Sequence, residues 1–476
     1  MEVGQHVIRG LKIGAMLRLA AQIFTWLNTL ILIRLLTPDD YGLMAMTMAF
    51  IGIFALMGDF GIGKAIIQTE ELTPHMLRQA FTVNIISCVT FFLLFYCTAP
   101  LIADFFSEPR VTILVQAIAV QHLIMIFHTL PYALASRNML YQQREKVQFV
   151  TTLSTSIFTL ILAASGAGIW SLILGHLFMR TVAMIGFFRL QPCWILPAMS
   201  FRGFYQTAVF SGIATVNDAL RYLYNITPTL SIGRLLNKTD LGVFSVASNL
   251  ANLPGDKIGE LLNHLGLSSF AKLQNEKKVA GQYLIKSVQL GSLVLFPMYF
   301  GMCAVSPELI TLALSDKWTA AIIPFQILCL CSPFRMLSEI LATAVTAVGE
   351  PKRNTRALAG SMLMLPMVIL GTQYGVQGAC IAWLGISLVS FALHIKTILP
   401  LFSVSVKELF VAMMPSFISA SVMLAGLTWF RSSFAADLNS WLFLVFNILL
   451  GAILFGTTLL IGFRKQAFTV IGYLKH

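Results

Sequence analysis

Charged side chains inside long apolar stretches are the residues of this sequence most able to do chemistry. They are Arg18, Asp59, Lys64, Arg180, Asp218, Arg221, Asp256, Lys257, Glu260, Arg335 and Glu339. A charge at the centre of an apolar helix costs about 2.5–3.5 kcal/mol on insertion scales, so it faces a polar cavity or a partner. Three pairs have helical spacing: Asp218 with Arg221, Lys257 with Glu260, and Arg335 with Glu339. Such pairs can neutralise each other one turn apart. Arg18 and Arg180 have no acid one turn away in their own segment. They are predicted to meet an anion, because the planar guanidinium binds two oxygens at once and stays charged when partly buried. Arg18, Arg221, Arg180, Arg335 and Lys257 are therefore the candidate ligand-binding residues. Asp59, Asp218, Asp256, Glu260 and Glu339 are candidates for ion coupling or for charge pairing. Lys64 is expected to snorkel to the membrane surface.

Catalytic chemistry finds little support. No phosphate-binding Gly-rich loop, HExxH or GxSxG pattern occurs. The short acidic loops at Asp39, Asp40 and Asp240 read as helix caps, with Thr37 or Asp40 capping the second helix and Gly42 allowing close packing. His122, His128, His176 and His264 lie in apolar stretches. A histidine can shuttle protons, but packed, hydrogen-bonded rings are the commoner outcome. The seven cysteines show no metal-ligand spacing and read as small core residues. No catalytic residue, metal site or cofactor is expected.

The elements that carry these residues follow from composition. Of 476 residues, 57% are hydrophobic and only 11% charged, and mean hydropathy is +0.81. Soluble domains carry about 25% charged residues, so an all-α integral membrane protein is predicted. About fourteen spans emerge, near 13–36, 42–66, 79–103, 111–136, 147–165, 168–188, 204–232, 242–267, 283–305, 319–347, 357–373, 377–398, 409–430 and 441–462. Gly166-Ala167-Gly168 reads as a tight turn between two of them, and Trp318 and Trp441 suit the interfacial belt. The net charge of +12 sits in alternate loops, so it orients the chain rather than binding nucleic acid. Those loops carry Arg78, then Arg137, Arg144 and Lys146, then Lys352, Arg353 and Arg356. The opposite loops hold little beyond Arg110, Lys238, Lys317 and Arg431. This bias puts both termini in the cytoplasm. The N-terminal segment has no apolar run ending at a small-residue cleavage site, so no cleaved signal peptide is expected.

An internal repeat divides the chain. Arg34-Leu-Leu-Thr-Pro-Asp-Asp-Tyr-Gly42 returns as Arg234-Leu-Leu-Asn-Lys-Thr-Asp-Leu-Gly242. Gly58-Asp59 returns as Gly255-Asp256, Ser107-Glu108 as Ser315-Asp316, and Leu174-Gly175 as Leu384-Gly385. Six spans per repeat predict two parallel, pseudo-symmetric six-helix lobes: 1–200 with helices 1–6 and 201–400 with helices 7–12. Residues 401–476 then add two accessory helices and a tail. Lobes of this kind can rock about a central cleft.

With these motifs, and with Gly58-Asp-Phe-Gly-Ile-Gly-Lys-Ala-Ile-Ile-Gln-Thr-Glu-Glu-Leu72 and Ser315-Asp-Lys-Trp-Thr-Ala-Ala-Ile-Ile-Pro-Phe-Gln-Ile-Leu328, the chain resembles the Wzx-type polysaccharide repeat-unit flippases. These belong to the polysaccharide transporter family of the MOP exporter superfamily, and the likeness is to its colanic-acid-exporter-like branch. The resemblance implies export of undecaprenyl-diphosphate-linked oligosaccharides across the bacterial inner membrane by alternating access, for surface polysaccharide synthesis. It also implies driving by a sodium or proton gradient. A lipid-linked oligosaccharide, membrane lipids and a polysaccharide polymerase are the expected partners, and the chain is expected to be a monomer. Family likeness makes the first and seventh helices cleft-lining, which would set Arg18 opposite Arg221, with Asp218 holding Arg221 when the cleft is empty. Two alternatives remain: a cation-coupled drug exporter of the same superfamily, and a membrane enzyme of the same pathway. The excess of isolated arginines over isolated acids favours a diphosphate over a cationic drug.

Overall fold

The structure is a computed structural model that describes residues 2–58, 66–67, 72–198, 205–272, 276–434 and 440–464. For 2–13, 15, 53–58, 205–218, 256–269, 271–272, 434 and 440 it describes the backbone alone. Asp59, Lys64 and the side chains of Asp218, Asp256, Lys257, Glu260 and His264 therefore lie outside the described residues.

All regular secondary structure among the described residues is helical. Its first half holds α1 (Glu2–Leu35), α2 (Pro38–Gly58), α3 (Pro74–Phe106), α4 (Arg110–Arg137), α5 (Tyr141–Ala164) and α6 (Ile169–Leu190). Then come α7 (Tyr205–Leu235), α8 (Lys238–Lys272), α9 (Lys277–Ala304), the short α10 (Ser306–Ala313) and α11 (Ile322–Ala347). The chain ends with α12 (Pro351–Met362), α13 (Pro366–Gly371), α14 (Gly375–Ile398), α15 (Val406–Phe434) and α16 (Ser440–Gly462). The described parts of the fourteen sequence-predicted spans fall largely on these helices, the eleventh on two of them. Ten segments among the described residues are long and apolar enough to cross a bilayer. Their outward faces are greasy: on α16, Leu442 is 65% exposed and Ile461 84%. Water would not tolerate such a surface over a whole molecule, and lipid does.

Local chemistry sets the helix ends. At α2, Thr37 N donates to Asp40 Oδ2 (3.0 Å) while Asp40 N donates to Thr37 Oγ1 (3.3 Å). This reciprocal box satisfies two orphan donors at the helix start. A related cap opens α8, where Asp240 N donates to Asn237 Oδ1 (2.8 Å) and Asn237 Nδ2 donates to Asp240 Oδ2 (2.9 Å). It also opens α15, through Ser405 and Glu408 (3.2 and 3.1 Å). The turn between α5 and α6 uses Gly166 at φ 83° and Gly168 at φ 54°, the left-handed region where only glycine is unstrained.

Two expectations are corrected. The eleventh span is not one helix: it breaks between α12 and α13 at residues 363–365, where Pro366 has no N–H to donate back into the preceding turn. Trp318 is not an interfacial residue. It sits in the 3-10 turn Asp316–Ala321 and is fully buried. Trp441, by contrast, is exposed at the start of α16. Five of the cysteines are buried as expected, whereas Cys97 is exposed and Cys193 half-buried.

The chain forms two compact units, Met1–Ile226 and Thr227–His476. Within the first, α3 packs on α4, α4 on α6, α5 on α6, α1 on α5, and α2 on α3, α4 and α6. Within the second, α9 packs on α11, α11 on α14, α12 and α13 on α14, and α8 on α11. The pairs α3–α4, α4–α6 and α5–α6 of the first unit thus have counterparts in α9–α11, α11–α14 and α12 and α13 with α14. Pro131 of α4 and Pro333 of α11 both lie buried inside their helices, which membrane helices tolerate where neighbours satisfy the freed carbonyls. The accessory pair α15 and α16 packs on α9. There Arg431 Nε lies 3.1 Å from Glu308 Oε1 of α10.

Candidate functional site: a polar cavity in the first unit

The first unit encloses a cavity of about 350 Å³ within its helix bundle. Met48, Ile51 and Gly52 of α2 form one wall, and Asn84, Cys88 and Phe91 of α3 another. Gln121, His122, Met125 and Thr129 of α4, His176 and Arg180 of α6, and Tyr222 of α7 complete it. Charged and polar groups deep in an apolar fold are held for a reason, because each costs free energy unless it is satisfied.

Most of the polar lining is fixed by hydrogen bonds. Asn84 Nδ2 donates to the Ile126 carbonyl (3.0 Å) and Thr129 Oγ1 to Met125 (3.0 Å). His122 Nδ1 donates to the Ala119 carbonyl (3.0 Å), and its ring stacks on Phe95 at 5.3 Å. His176 Nε2 donates to Gln121 Oε1 (2.8 Å). Tyr222 reaches α2 and donates its hydroxyl to the Ala49 carbonyl (2.9 Å). That approach requires glycine at 52, where any Cβ would collide with the phenol oxygen. Arg180 lies within electrostatic reach of His122, His128 and His176. No aspartate or glutamate is among the described lining residues. A guanidinium, two imidazoles and several amide and hydroxyl groups make a cavity suited to a compact anion.

The remaining sequence-predicted residues lie elsewhere. Arg18 is exposed on α1 and forms an ion pair with Glu145 of α5, Nη2 to Oε1 at 2.5 Å. The missing acid is thus supplied by another helix. Arg221 is exposed on α7, one position from cavity-lining Tyr222. In the second unit, Arg335 Nη1 donates to Asn252 Oδ1 (3.4 Å) and lies 6.0 Å from the Trp383 ring centre. Glu339 is half-buried one turn along the same helix. The structure brings Arg180 together with His122 and His176. Sequence reasoning missed Gln121 and Asn84, although amides in the middle of apolar spans are themselves a signal. It also missed Tyr222 and Glu145, whose roles depend on contacts between helices distant in sequence.

A second, apolar groove lies between α3, α4, α6 and the segment after α6. Phe81, Ile85, Phe127, Phe188 and Trp194 line it. Arg78 fixes this segment by donating to the Leu196 carbonyl (3.1 Å), and Thr82 Oγ1 accepts from Ala198 N (2.8 Å). Burial pushes the Cys193 thiol pKa up, which lowers its thiolate fraction.

Residues 31–323 match the model of a family described as "Polysaccharide biosynthesis protein". The chain belongs to this family. It is 23% identical to the lipopolysaccharide biosynthesis protein WzxC of Escherichia coli K12 over 415 residues, covering 84% of this chain and 81% of that protein. It is 23% identical over 392 residues to an "Uncharacterized membrane protein in cps region" of Klebsiella pneumoniae, covering 81% and 80%. Its fold is that of the solved lipid II flippase MurJ in an inward closed conformation, with a TM-score of 0.77 at 13% identity, covering 95% of this chain and 99% of that one. An inward-facing multidrug resistance transporter of the MATE family, in the MOP superfamily, matches at a TM-score of 0.60 and 13% identity, covering 87% and 99%. The family member described here is thus a multi-pass helical membrane protein with the MOP fold.

Proposed function

We propose that this protein exports undecaprenyl-diphosphate-linked oligosaccharide repeat units across a bacterial inner membrane by alternating access. The observation that carries the reading is membership of a polysaccharide biosynthesis family in a chain with the fold of a lipid II flippase. The cavity supports it: a guanidinium and two imidazoles, with no carboxylate among the described lining residues, suit a diphosphate, whereas a cationic drug would call for acids. Arg18, Arg221 and Arg180 guide the diphosphate head, with Arg335 and Lys257 as further cations. Asp59, Asp218, Asp256, Glu260 and Glu339 serve ion coupling or charge pairing. A sodium or proton gradient drives the cycle, both termini face the cytoplasm, and the chain works as a monomer. No bond is made or broken in the cargo, and a polymerase uses it on the far side. Cells depleted of the protein, with no redundant transporter, will accumulate lipid-linked repeat units and lose surface polysaccharide. Normal polysaccharide in such cells would refute the reading.

A further inference from the structure

Residues 191–198, which follow α6, form a strap with two unlike faces. Cys193 and Ile195 pack inward against the cluster of Ile66, Ala80, Leu130 and Ala133. Trp194 and Leu196 point outward and are 87% and 76% exposed. This two-residue alternation is that of an extended segment. The strap is anchored at its far end. Arg78 donates to the Leu196 and Pro197 carbonyls (3.1 and 3.5 Å), and Thr82 Oγ1 accepts from Ala198 N (2.8 Å). Two large apolar side chains are therefore held at the surface, an arrangement that water disfavours and lipid accepts.

Beside Trp194 runs the apolar groove, with a volume of about 390 Å³. Phe81 and Ile85, one turn apart on α3, form one side, with Phe127 of α4 and Phe188 of α6 across from them. The Trp194 ring meets Phe188 edge-on at 5.1 Å between centres. A water takes about 30 Å³, so the groove has room for roughly a dozen methylene-sized groups, most of one fatty acyl chain. Helices α3, α4 and α6 are each long and apolar enough to cross a bilayer, and Phe127 and Ile185 beside the groove are exposed. The groove thus faces lipid.

A cation stands at the same end. Arg189 is exposed in the last turn of α6, next to Phe188 and one turn from exposed Ile185. It makes no ion pair among the described residues. Arg78, exposed on α3, adds a second charge beside the strap. A tryptophan with arginines around it is the set of side chains that suits the headgroup level of a bilayer, where the ring and the aliphatic stems lie in lipid and the charges reach the phosphates. Basic residues at that level favour anionic over zwitterionic lipid.

We propose that the groove and its strap are a binding site for one anionic phospholipid, with an acyl chain along Phe81, Ile85 and Trp194 and the phosphate head on Arg189. The occupant is a lipid of the surrounding leaflet, so the proposal stands apart from the export reading.

The test uses the full-length chain in phosphatidylcholine nanodiscs and reads tryptophan fluorescence. Lipid with bromines midway along its acyl chains, which quench indole on contact, replaces ordinary lipid in steps. The wild-type signal minus that of Trp194→Phe isolates Trp194. Half of the Trp194 signal should be lost at about fivefold less brominated phosphatidylglycerol than brominated phosphatidylcholine, the factor that one arginine at the surface supplies. Arg189→Gln should erase this preference and Arg189→Lys should keep part of it. Ile85→Phe fills the groove and leaves Arg189 in place. It should weaken quenching by phosphatidylglycerol in a protein whose thermal unfolding matches the wild type. Unlabelled phosphatidylglycerol should restore the fluorescence at least as well as undecaprenyl phosphate at the same mole fraction. Equal quenching by the two brominated lipids would overturn the proposal, because the groove then holds only bulk lipid. A preference that survives Arg189→Gln, or that Ile85→Phe leaves untouched, would overturn it as well. Stronger displacement by undecaprenyl phosphate would give the groove to the tail of a polyprenyl cargo instead, overturning the phospholipid assignment and leaving the export reading standing.

Discussion

A guanidinium at the edge of an apolar helix needs a counter-charge, and Arg18 finds one in Glu145. The Arg18 side chain is nevertheless 61% exposed, so an incoming anion can reach it. A diphosphate offers two charges and bidentate geometry against one carboxylate. Arg18→Ala and Arg221→Ala are each expected to abolish export while the protein still accumulates in the membrane, with lysine at either site retaining part of the function. Complementation of a deletion strain measures this, and full export by both alanine variants would make the two arginines structural. Arg180 stood out in the sequence as an arginine in an apolar span with no acid one turn away, and it lines the cavity. Glu145 was not, since a pair separated by 127 residues leaves no mark on local spacing. Arg335 shows the converse: an acid one turn away suggested a simple ion pair, yet the guanidinium also reaches Asn252 and Trp383 across helices.

At the scale of elements, short motifs were read with most success. Thr37 and Asp40 form the cap their spacing implied, and the second-half copy at Asn237 and Asp240 repeats it. Asp40 and Asp240 thus serve as part of the helix starts. Thr37→Ala removes one side of the box and should cost about 1 kcal/mol of stability. The expected outcome is a modestly lower unfolding temperature in detergent with export unchanged. Lost export at normal stability would return this loop to the functional residues. The break before Pro366 was written in the sequence as a proline inside an apolar run, a signal that hydropathy alone overrides. Trp318 was misplaced because apolar length marks a span but not which end of it packs inward.

For the whole molecule, composition fixed the class: only 11% of residues are charged, and helices are the fold that satisfies the backbone in lipid while matching uninterrupted apolar runs. The repeat is visible as an ordered series of weak matches, and three helix pairs of the first unit, α3–α4, α4–α6 and α5–α6, have counterparts in the second. The cavity itself was not legible. It is assembled from α2, α3, α4, α6 and α7, and no local pattern reports which polar groups from five helices converge. The central claim is that this chain moves a lipid-linked saccharide between leaflets. It is tested most directly by reconstituting the purified protein into liposomes with a fluorescent polyprenyl-diphosphate saccharide and adding a membrane-impermeant quencher. The inner-leaflet fluorescence, protected in empty liposomes, is expected to become quenchable when the wild-type protein is present and to stay protected with the Arg18→Ala variant. Inner-leaflet fluorescence that remains protected in the presence of folded wild-type protein would contradict it.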